Sequence, residues 1–394
     1  LVRKNFNSTV SYQLDEQPYR FGNYTTMGEF YVETGLSAIG ATHYRRALSL
    51  DSALATVEFC KEKVHYRRQY FISYPHNVMV MRFSADQPGK QNLAFSYAPN
   101  PDGKGTMKAD GNASLCYEAR LNNNQMAYTV RITALPTGGQ VRTDGQRLIV
   151  EKADEVLFLI TADTDYKINF DPDYSDPRTY VGVDPSATTA QWMNEARELS
   201  YDRLLQDHLA DYQPLFQRVK LALNPAAEVK DIPTPQRLRN YRKGQADYYL
   251  ETLYYQFGRY LLIASSRPGN LPANLQGIWA NQVDGPWHVD YHNNINLQMN
   301  YWPACSTGLS ECVLPLVDFI RTLQKPGERT AKAYFGARGW TASISGNIFG
   351  FTTPLRDQDM SWNFNPMAGP WLATHLWEYY DYTRDLKFLR ETAY

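Results

Sequence analysis

The chain has few cysteines, almost no net charge and no long hydrophobic run. Its four cysteines, in 394 residues, show no CxxC or Cys/His spacing, which argues against a zinc site or a disulfide framework and predicts buried free thiols. Forty basic and 41 acidic residues give a formal net charge of −1, so the overall charge of the chain does not attract nucleic acid. The longest apolar run, VLFLITA at 156–162, is far shorter than the ~20 residues that cross a bilayer. We expect no nucleic-acid partner, no membrane span and no metal or other cofactor.

Aromatic residues, in contrast, are abundant. The chain contains 29 tyrosines and 8 tryptophans. Tyr and Trp combine a flat apolar face with a polar edge, which suits packing against the C–H faces of sugars. Large proteins also place tyrosine in cores and interfaces, so composition alone leaves both interpretations open.

Residues 25 to about 165 show the two-residue alternation of β-strands. KVHYRRQYFIS at 63–73 places Val64, Tyr66 and Ile72 on one face of a strand. The Asp-Gly pair in QVRTDGQRLIVE lies between two strand-like runs, where glycine accepts the positive φ of a hairpin turn. Many short strands without intervening helices predict a large antiparallel sandwich, here called a super-sandwich.

After this region the period changes to that of α-helices. Helices are predicted over 187–219, 245–266, 309–323 and 370–383. The segment NPAAEVKDIPTP at 224–235 is rich in proline, which is typical of a linker. The fold class is therefore multidomain β + α, with a β-sandwich domain over 1–186, a helical linker region over 187–240 and an α/α domain over 241–394.

The stretch DGPWHVDYHNNINLQMNYWPA, residues 284–304, combines amides with histidine and large aromatics. If its centre were extended, five polar side chains would share one face and three apolar ones would face a core. These sets are His292, Asn294, Asn296, Gln298 and Asn300, and Ile295, Leu297 and Met299. If a helix began near Asn296, only His292, Asn294 and Asn296 would project together. A third possibility is an Asn-rich turn that caps a helix. Amides donate and accept hydrogen bonds, which suits a ligand covered in hydroxyls.

Neighbouring loops add more residues of the same kind. The candidate substrate-binding residues are His292, Trp287, Asp290, Gln276 and Trp371, and Asn270, Asn274, Trp279, Asn281 and His288 lie among them. A few polar groups surrounded by aromatics are typical of a carbohydrate pocket.

A candidate proton donor lies in GPWLATHLWEYYDYTRDLKFL. In a helix that begins near Pro370, Glu378 falls about 20° from Trp371, on the stripe of His375 and Tyr382. Poor solvation among these side chains would raise the pKa of a carboxyl group, as glycosidase acids require. The alternative is a Glu that is paired to a base or exposed at the edge of the stripe. Weaker settings surround the other acids, Asp290, Glu311, Asp357 and Asp359.

Four motifs resemble glycoside hydrolase family 95, the inverting α-L-fucosidases. They are GRYLLIASSRPGNLPANLQGIW, PWHVDYHNNINLQMNYWPA, LSECVLPL and GPWLATHLWEYYDYTRDLKFL, and the segments YRRALSLDSALATVEF and VHYRRQYFISYPHNVMVMRF resemble that family's N-terminal sandwich. The resemblance implies an (α/α)6 barrel in which Glu378 is the general acid. Asn294 and Asn296 would hold the attacking water, with His292 at the sugar-recognition end. The partner would then be a fucosylated oligosaccharide or glycan, and the protein would act outside the cytoplasm, in the periplasm or after secretion.

The family's pattern includes a later Phe-Gln-Ile-Asp-Gly-Asn type segment that has no counterpart here. That segment would supply the Asp that backs the two amides, because an amide oxygen is too weak a base to keep a proton. We therefore expect only the first part of the barrel, with impaired catalysis by these residues alone. Three alternatives stay open: an α-L-galactosidase of the same family, a non-catalytic carbohydrate-binding protein, and a disaccharide phosphorylase.

Overall fold

The computed structural model describes residues 24–223, 231–355 and 365–393. Up to Thr164 the described chain forms antiparallel strands. They are β1 Gly28–Glu33, β2 Thr42–Ser49, β3 Leu54–Lys61, β4 Val64–Ser73, β5 Val78–Ala85, β6 Gln91–Pro99, β7 Gly103–Ala109, β8 Ser114–Leu121, β9 Ala127–Thr137, β10 Gln140–Asp144, β11 Arg147–Ala153 and β12 Glu155–Thr164. Gly145 has a φ of +60°, so the predicted hairpin between β10 and β11 is confirmed.

The strands form two facing sheets. One has four strands in the order β1-β6-β11-β10, and the other has eight in the order β2-β3-β4-β5-β12-β9-β8-β7. Side chains from the inner faces of both sheets make one core, in which the rings of Phe95 and Phe158 lie 4.8 Å apart. The predicted antiparallel sandwich is confirmed.

Replacing Phe158 by alanine is expected to lower the free energy of unfolding by about 3–5 kcal/mol, because a fully buried ring leaves a cavity. Ile72→Ala is the matched control, since Ile72 lies on the same sheet and is 66% exposed; its effect should stay within about 0.5 kcal/mol. Urea unfolding followed by fluorescence measures both. Equal losses in the two variants would contradict this account of the core.

Helices follow from residue 185 onward. They are α1 Pro185–Arg197, α2 Tyr201–Phe216, α3 Thr234–Arg242, α4 Tyr248–Ser265, α5 Asn296–Ser306, α6 Leu314–Phe335, α7 Ala368–Thr383 and α8 Leu386–Phe388, which continues into a helical turn at Leu389–Ala393. Tight helical turns lie at Pro286–Val289 and Ser310–Val313, and two-residue strands β13 Tyr291–His292 and β14 Ser345–Gly346 pair with each other. The four predicted helical regions are confirmed, although α6 runs twelve residues past the predicted end at 323.

Helices α1 and α2 pack on the outer face of the eight-stranded sheet. Met193 and Leu204 are buried there against Phe71 and Leu159 of the sheet. The Ser200 hydroxyl accepts a hydrogen bond from the Arg203 N–H and begins α2. Both faces of this sheet are therefore buried over part of its length.

The sandwich and the helical region meet through hydrogen bonds from three half-buried tyrosines. Tyr166 donates to the Ile348 carbonyl at 2.8 Å, and Tyr74 donates to the Pro268 carbonyl at 2.6 Å. The Tyr24 hydroxyl donates to the Tyr291 hydroxyl at 2.9 Å. These contacts hold the strand β13 segment against the edge of the sandwich.

Three of the four cysteines are buried and Cys60 is half-buried; all four are unpaired, as predicted. Within the described ranges, no helix has both the length and the hydrophobicity needed to cross a bilayer.

Candidate active site

The amide-rich stretch turns into helix α5 at Asn296, so the extended alternative is wrong. In the extended arrangement Ile295 and Met299 would face a core, but they are 38% and 52% exposed. Gln298, placed on the polar face by that alternative, is fully buried. The helical alternative, in which His292, Asn294 and Asn296 precede or begin the helix, is the observed one.

Asn293, which sequence reasoning did not single out, fixes the turn before α5. Its backbone N–H donates to the Ile344 carbonyl at 2.5 Å, and its side-chain amide donates to the Ser343 carbonyl at 3.1 Å. Its own carbonyl accepts from the Gln298 side chain at 2.7 Å. Asn293 and Gln298 are therefore positioning residues, although their side-chain oxygens, like that of Asn294, are buried without a protein partner in the described ranges.

Asn294 carries an acceptor with no protein partner. Its Oδ1 atom is buried, and within the described part of the chain it receives no hydrogen bond. A buried polar atom without a partner costs about 1–3 kcal/mol unless water or a ligand satisfies it. The first N–H groups of α5 also lack a side-chain cap. This end of α5 can therefore hold water or a hydroxyl group.

His292 and Asp290 form a buried pair beside this end of α5. The Asp290 carboxylate contacts Nδ1 of His292, with the carboxylate 1% and the imidazole 16% exposed. The contact does not have the geometry of a hydrogen bond. The negative charge of the carboxylate nevertheless favours a proton on Nδ1, and in that tautomer Nε2 can accept a hydrogen bond from a sugar hydroxyl.

The loop of Gln276 joins the same region. Asp290 accepts a hydrogen bond on its carbonyl from the Leu275 N–H at 3.0 Å, and the Asn300 side chain donates to the Asn274 carbonyl at 3.0 Å. Gln276 follows directly and is half-buried. The structure therefore brings Gln276, Asp290 and helix α5 together, as a shared pocket requires.

Trp287 lies on a strained turn. The backbone φ angles of Trp287, His288 and Val289 are +51°, +58° and +53°. This left-handed region is unfavourable for a non-glycine residue, above all for a β-branched one, and such strain often marks functional sites. The turn leaves the Trp287 ring 71% exposed while Val289 is fully buried. An exposed indole held in this way can pack against a sugar.

The start of helix α7 packs on Trp340, because a Cβ at Gly369 would lie 2.9 Å from the Trp340 ring. Three residues after Trp340, the Ser343 carbonyl accepts a hydrogen bond from the side chain of Asn293. Trp371 lies in the first turn of α7 and is half-buried. Its role in sugar binding stays a prediction.

Glu378 lies further along α7. Burial raises the pKa of the Cys305 thiol, and the negative charge of Glu378 raises it further. Helices α5 and α7 pack against each other. No hydrogen bond or ion pair with Asn294 or Asn296 is formed by Glu378 within the described ranges. Its role as the general acid stays a prediction.

Burial around Glu378 favours the neutral forms of both Glu378 and His375, and it shifts their pKa values accordingly. Burial raises the pKa of Glu378 and lowers that of His375 to about 4. His375 Nδ1 and Glu378 Oε2 are 3.5 Å apart, yet at neutral pH the buried imidazole is uncharged. The raised pKa expected for Glu378 is therefore present.

Of the other acids, Glu311 binds Arg218 at 2.7 Å. Burial raises the pKa of Glu311, but hydrogen bonds to Arg218 outweigh this and leave it below its ordinary value. Glu311 is therefore held ionised. Asp357 and Asp359 lie outside the described residues.

The His375 shift predicts a pH dependence of stability. Because the folded pKa of about 4 is below the ordinary 6.5, the unfolded chain binds the proton more tightly. Stability from neutral His375 is present above pH 6.5 and is lost as the pH falls to 4. We expect wild type to lose about 3 kcal/mol more than His375→Leu over this range, measured by urea unfolding. Glu378, whose shift is opposite, is present in both proteins; parallel pH curves would contradict the prediction.

Comparison with known sequences identifies both parts of the chain. Residues 200–394 match the glycosyl hydrolase family 95 catalytic domain, and residues 1–169 match the glycosyl hydrolase family 65 N-terminal domain. "Alpha-L-fucosidase 2" of Arabidopsis thaliana is 35% identical over 89% of this chain and 44% of the relative. "Probable alpha-fucosidase A" of Aspergillus niger is 34% identical over 100% of this chain and 50% of the relative.

The chain thus spans about half the length of these curated relatives. A solved structure of a human-microbiome protein, named as a candidate kojibiose phosphorylase, has a TM-score of 0.62 at 10% identity and covers 92% of this chain and 47% of that one. At this identity the likeness concerns the fold alone, a β-sandwich followed by helices. The chain belongs to glycoside hydrolase family 95, because a family 95 catalytic-domain sequence follows an N-terminal domain of the family 65 type.

Proposed function

We propose that the protein is a glycoside hydrolase that removes terminal α-L-fucose, α1,2-linked, from glycans outside the cytoplasm, with inversion of configuration. The observation that carries the proposal is the buried Asn294 acceptor without a protein partner, next to Asn296 and the Asp290–His292 pair. The names of the relatives supply the sugar. In this proposal the helical region is the first part of an (α/α)6 barrel.

In the proposed reaction, Asn294 and Asn296 accept hydrogen bonds from the attacking water and aim its lone pair at the anomeric carbon. An amide oxygen does not keep the proton, so a carboxylate of the complete polypeptide must receive it, while Glu378, the proton donor proposed from the sequence, protonates the glycosidic oxygen that departs with the rest of the glycan. Nε2 of His292 binds a sugar hydroxyl, and Asp290 holds the ring in place. Inverting enzymes separate the proton donor and the water-activating group by roughly 6.5–9.5 Å.

Trp287, Trp371 and Gln276 complete the proposed pocket. Trp287 is exposed and Trp371 half-buried, so both rings are accessible for packing on sugar C–H faces. Gln276 can donate to and accept from a hydroxyl group.

Glu378 is the proton donor proposed from the sequence. Its pKa, raised by burial, suits a donor. We expect Glu378→Gln to lower kcat on an oligosaccharide by roughly 10²–10⁴-fold, which is the usual contribution of a general acid. A loss of this size, largely restored on an aryl fucoside whose leaving group needs no proton, would establish Glu378 as the donor, and a kcat within about tenfold of wild type would contradict that role.

The function is tested with the complete polypeptide that contains this chain. Incubated with 2′-fucosyllactose and followed by NMR, it should release β-L-fucose first, with lactose as the other product. Initial release of α-L-fucose would exclude inversion, and sugar binding without release would favour the non-catalytic alternative. A fucosyl and an L-galactosyl substrate compared by kcat/KM distinguish the two activities of the family. Release that depends on inorganic phosphate would favour the phosphorylase alternative.

A further inference from the structure

A cavity of about 310 Å³ lies between the sandwich and the helical region. Its sandwich wall is the turn 122–124 after β8, together with Asp102 directly before β7. Its helical wall includes Asp284, Asp290 and Asn347. We call this space the interdomain cavity. Its volume lies within the range of about 300–1,000 Å³ that is usual for ligand pockets.

The wall of the interdomain cavity carries hydrogen-bonding groups that the protein does not use. The side-chain amides of Asn122 and Asn123 and the carboxylate of Asp102 have no hydrogen-bond or ion-pair partner in the described ranges, and all three residues are exposed. The backbone of the turn is fixed, because the Asn122 N–H donates to the Asp102 carbonyl at 2.8 Å. Free amides on a fixed backbone are suited to binding hydroxyl groups.

Aromatic rings and the sign of the charge define the ligand class further. Tyr166 and Phe349 line the cavity with their rings 5.8 Å apart and edge to face. The described lining residues include three aspartates and no lysine or arginine. An anionic ligand such as phosphate would be repelled, whereas a neutral ligand with hydroxyl groups and C–H faces fits.

The interdomain cavity borders the proposed site. Asp290 forms part of its wall and contacts His292, which precedes Asn294 by two residues. A second cavity of about 340 Å³, along the sandwich, shares Thr25, Leu121, Met126 and Thr164 with it. The two cavities therefore adjoin at these four residues.

We propose that the interdomain cavity binds the sugar residues on the leaving-group side of the cleaved linkage, with Asn122 and Asn123 as specificity-determining residues supplied by the sandwich. This inference rests on the proposed function. It gives the sandwich a direct part in choosing which fucosylated glycan is accepted.

The test compares a substrate that fills the cavity with one that does not. Asn122→Ala/Asn123→Ala is expected to lower kcat/KM for 2′-fucosyllactose about tenfold and to leave kcat/KM for 4-nitrophenyl α-L-fucoside unchanged. Each lost hydrogen bond weakens binding several-fold. The matched control is Asn112→Ala, which is exposed in the turn at the other end of the β7–β8 hairpin, roughly 25 Å away. It should change neither value.

Equal kcat/KM for the variant and wild type on 2′-fucosyllactose, or equal losses on both substrates, would overturn the inference. If wild type hydrolyses neither fucoside, the proposed function fails. In that case lactose binding, measured by NMR titration, decides the inference by itself. Weaker binding by the double variant than by Asn112→Ala supports the cavity, and identical binding or no binding by wild type refutes it.

Discussion

Asn294→Ala is expected to lower kcat for 2′-fucosyllactose by about 10²–10³-fold with little change in KM. The Asn294 amide oxygen is buried and has no protein partner in the described ranges, so its proposed role is to align water. Removing one preorganised hydrogen-bonding group from an active site costs about this much in kcat. The loss falls on kcat because water is aligned for the transition state, whereas the sugar is bound by other groups. Steady-state kinetics on the complete polypeptide measures it.

Ile295→Ala is the matched control for this prediction. Ile295 lies between the two asparagines and is 38% exposed, so its loss perturbs the same turn without removing a polar group. We expect its kcat within about threefold of wild type, with unchanged unfolding for both variants. If Asn294→Ala raises KM without lowering kcat, or if the two variants lose kcat equally, Asn294 does not align the water.

Strand alternation predicted the sandwich because one face of each sheet meets the other sheet. For strand β4, the predicted inward face is correct at Val64 and Tyr66, which are buried, but wrong at the end of the strand. Ile72 is exposed, and Phe71 on the opposite face is buried with its ring 4.9 Å from His208 of α2. Whether a later helix covers the outer face of a sheet is a tertiary property that strand periodicity does not contain.

In the amide-rich stretch, the local sequence pattern could not distinguish between two backbone conformations, a strand and the start of a helix. Alternation of polar and apolar residues over so few positions fits a strand and a helix start equally well. Contacts with distant residues decide between them, since His292 pairs with Ser345 in a two-stranded sheet and Asn293 binds Ser343 and Ile344. Both asparagines proposed as catalytic stay near the turn in either case.

For Glu378 the helical stripe was predicted correctly, and its neighbour His375 is buried on it. A helical wheel, however, gives the angle around an axis and not the level along it. The seven residues from Trp371 to Glu378 span about 10 Å of helix, so the stripe alone does not give the distance between Glu378 and the two asparagines. The interdomain cavity had no sequence signal, because its two walls are more than 100 residues apart in the chain.

Asp290→Asn is expected to lower kcat/KM for α-L-fucosides by about 10–100-fold, a loss similar to that caused by removing the carboxylate that orients a metal-bound histidine. An amide can present either its NH₂ or its oxygen to Nδ1, so the tautomer and ring orientation of His292 are no longer fixed. Asp290 is 1% exposed, and the variant's unfolding must be measured beside its kinetics.

A double-mutant cycle separates this positioning role from a structural one. If Asp290 acts through His292, the double variant Asp290→Asn/His292→Ala should have the kcat/KM of His292→Ala alone, because the orienting group has nothing left to orient. The control pair is Asp290→Asn with Asn112→Ala, whose effects should multiply, since Asn112 lies in a distant turn of the sandwich. Multiplying losses for Asp290→Asn and His292→Ala would show that the carboxylate acts independently, and its contact with Nδ1 would then be only structural.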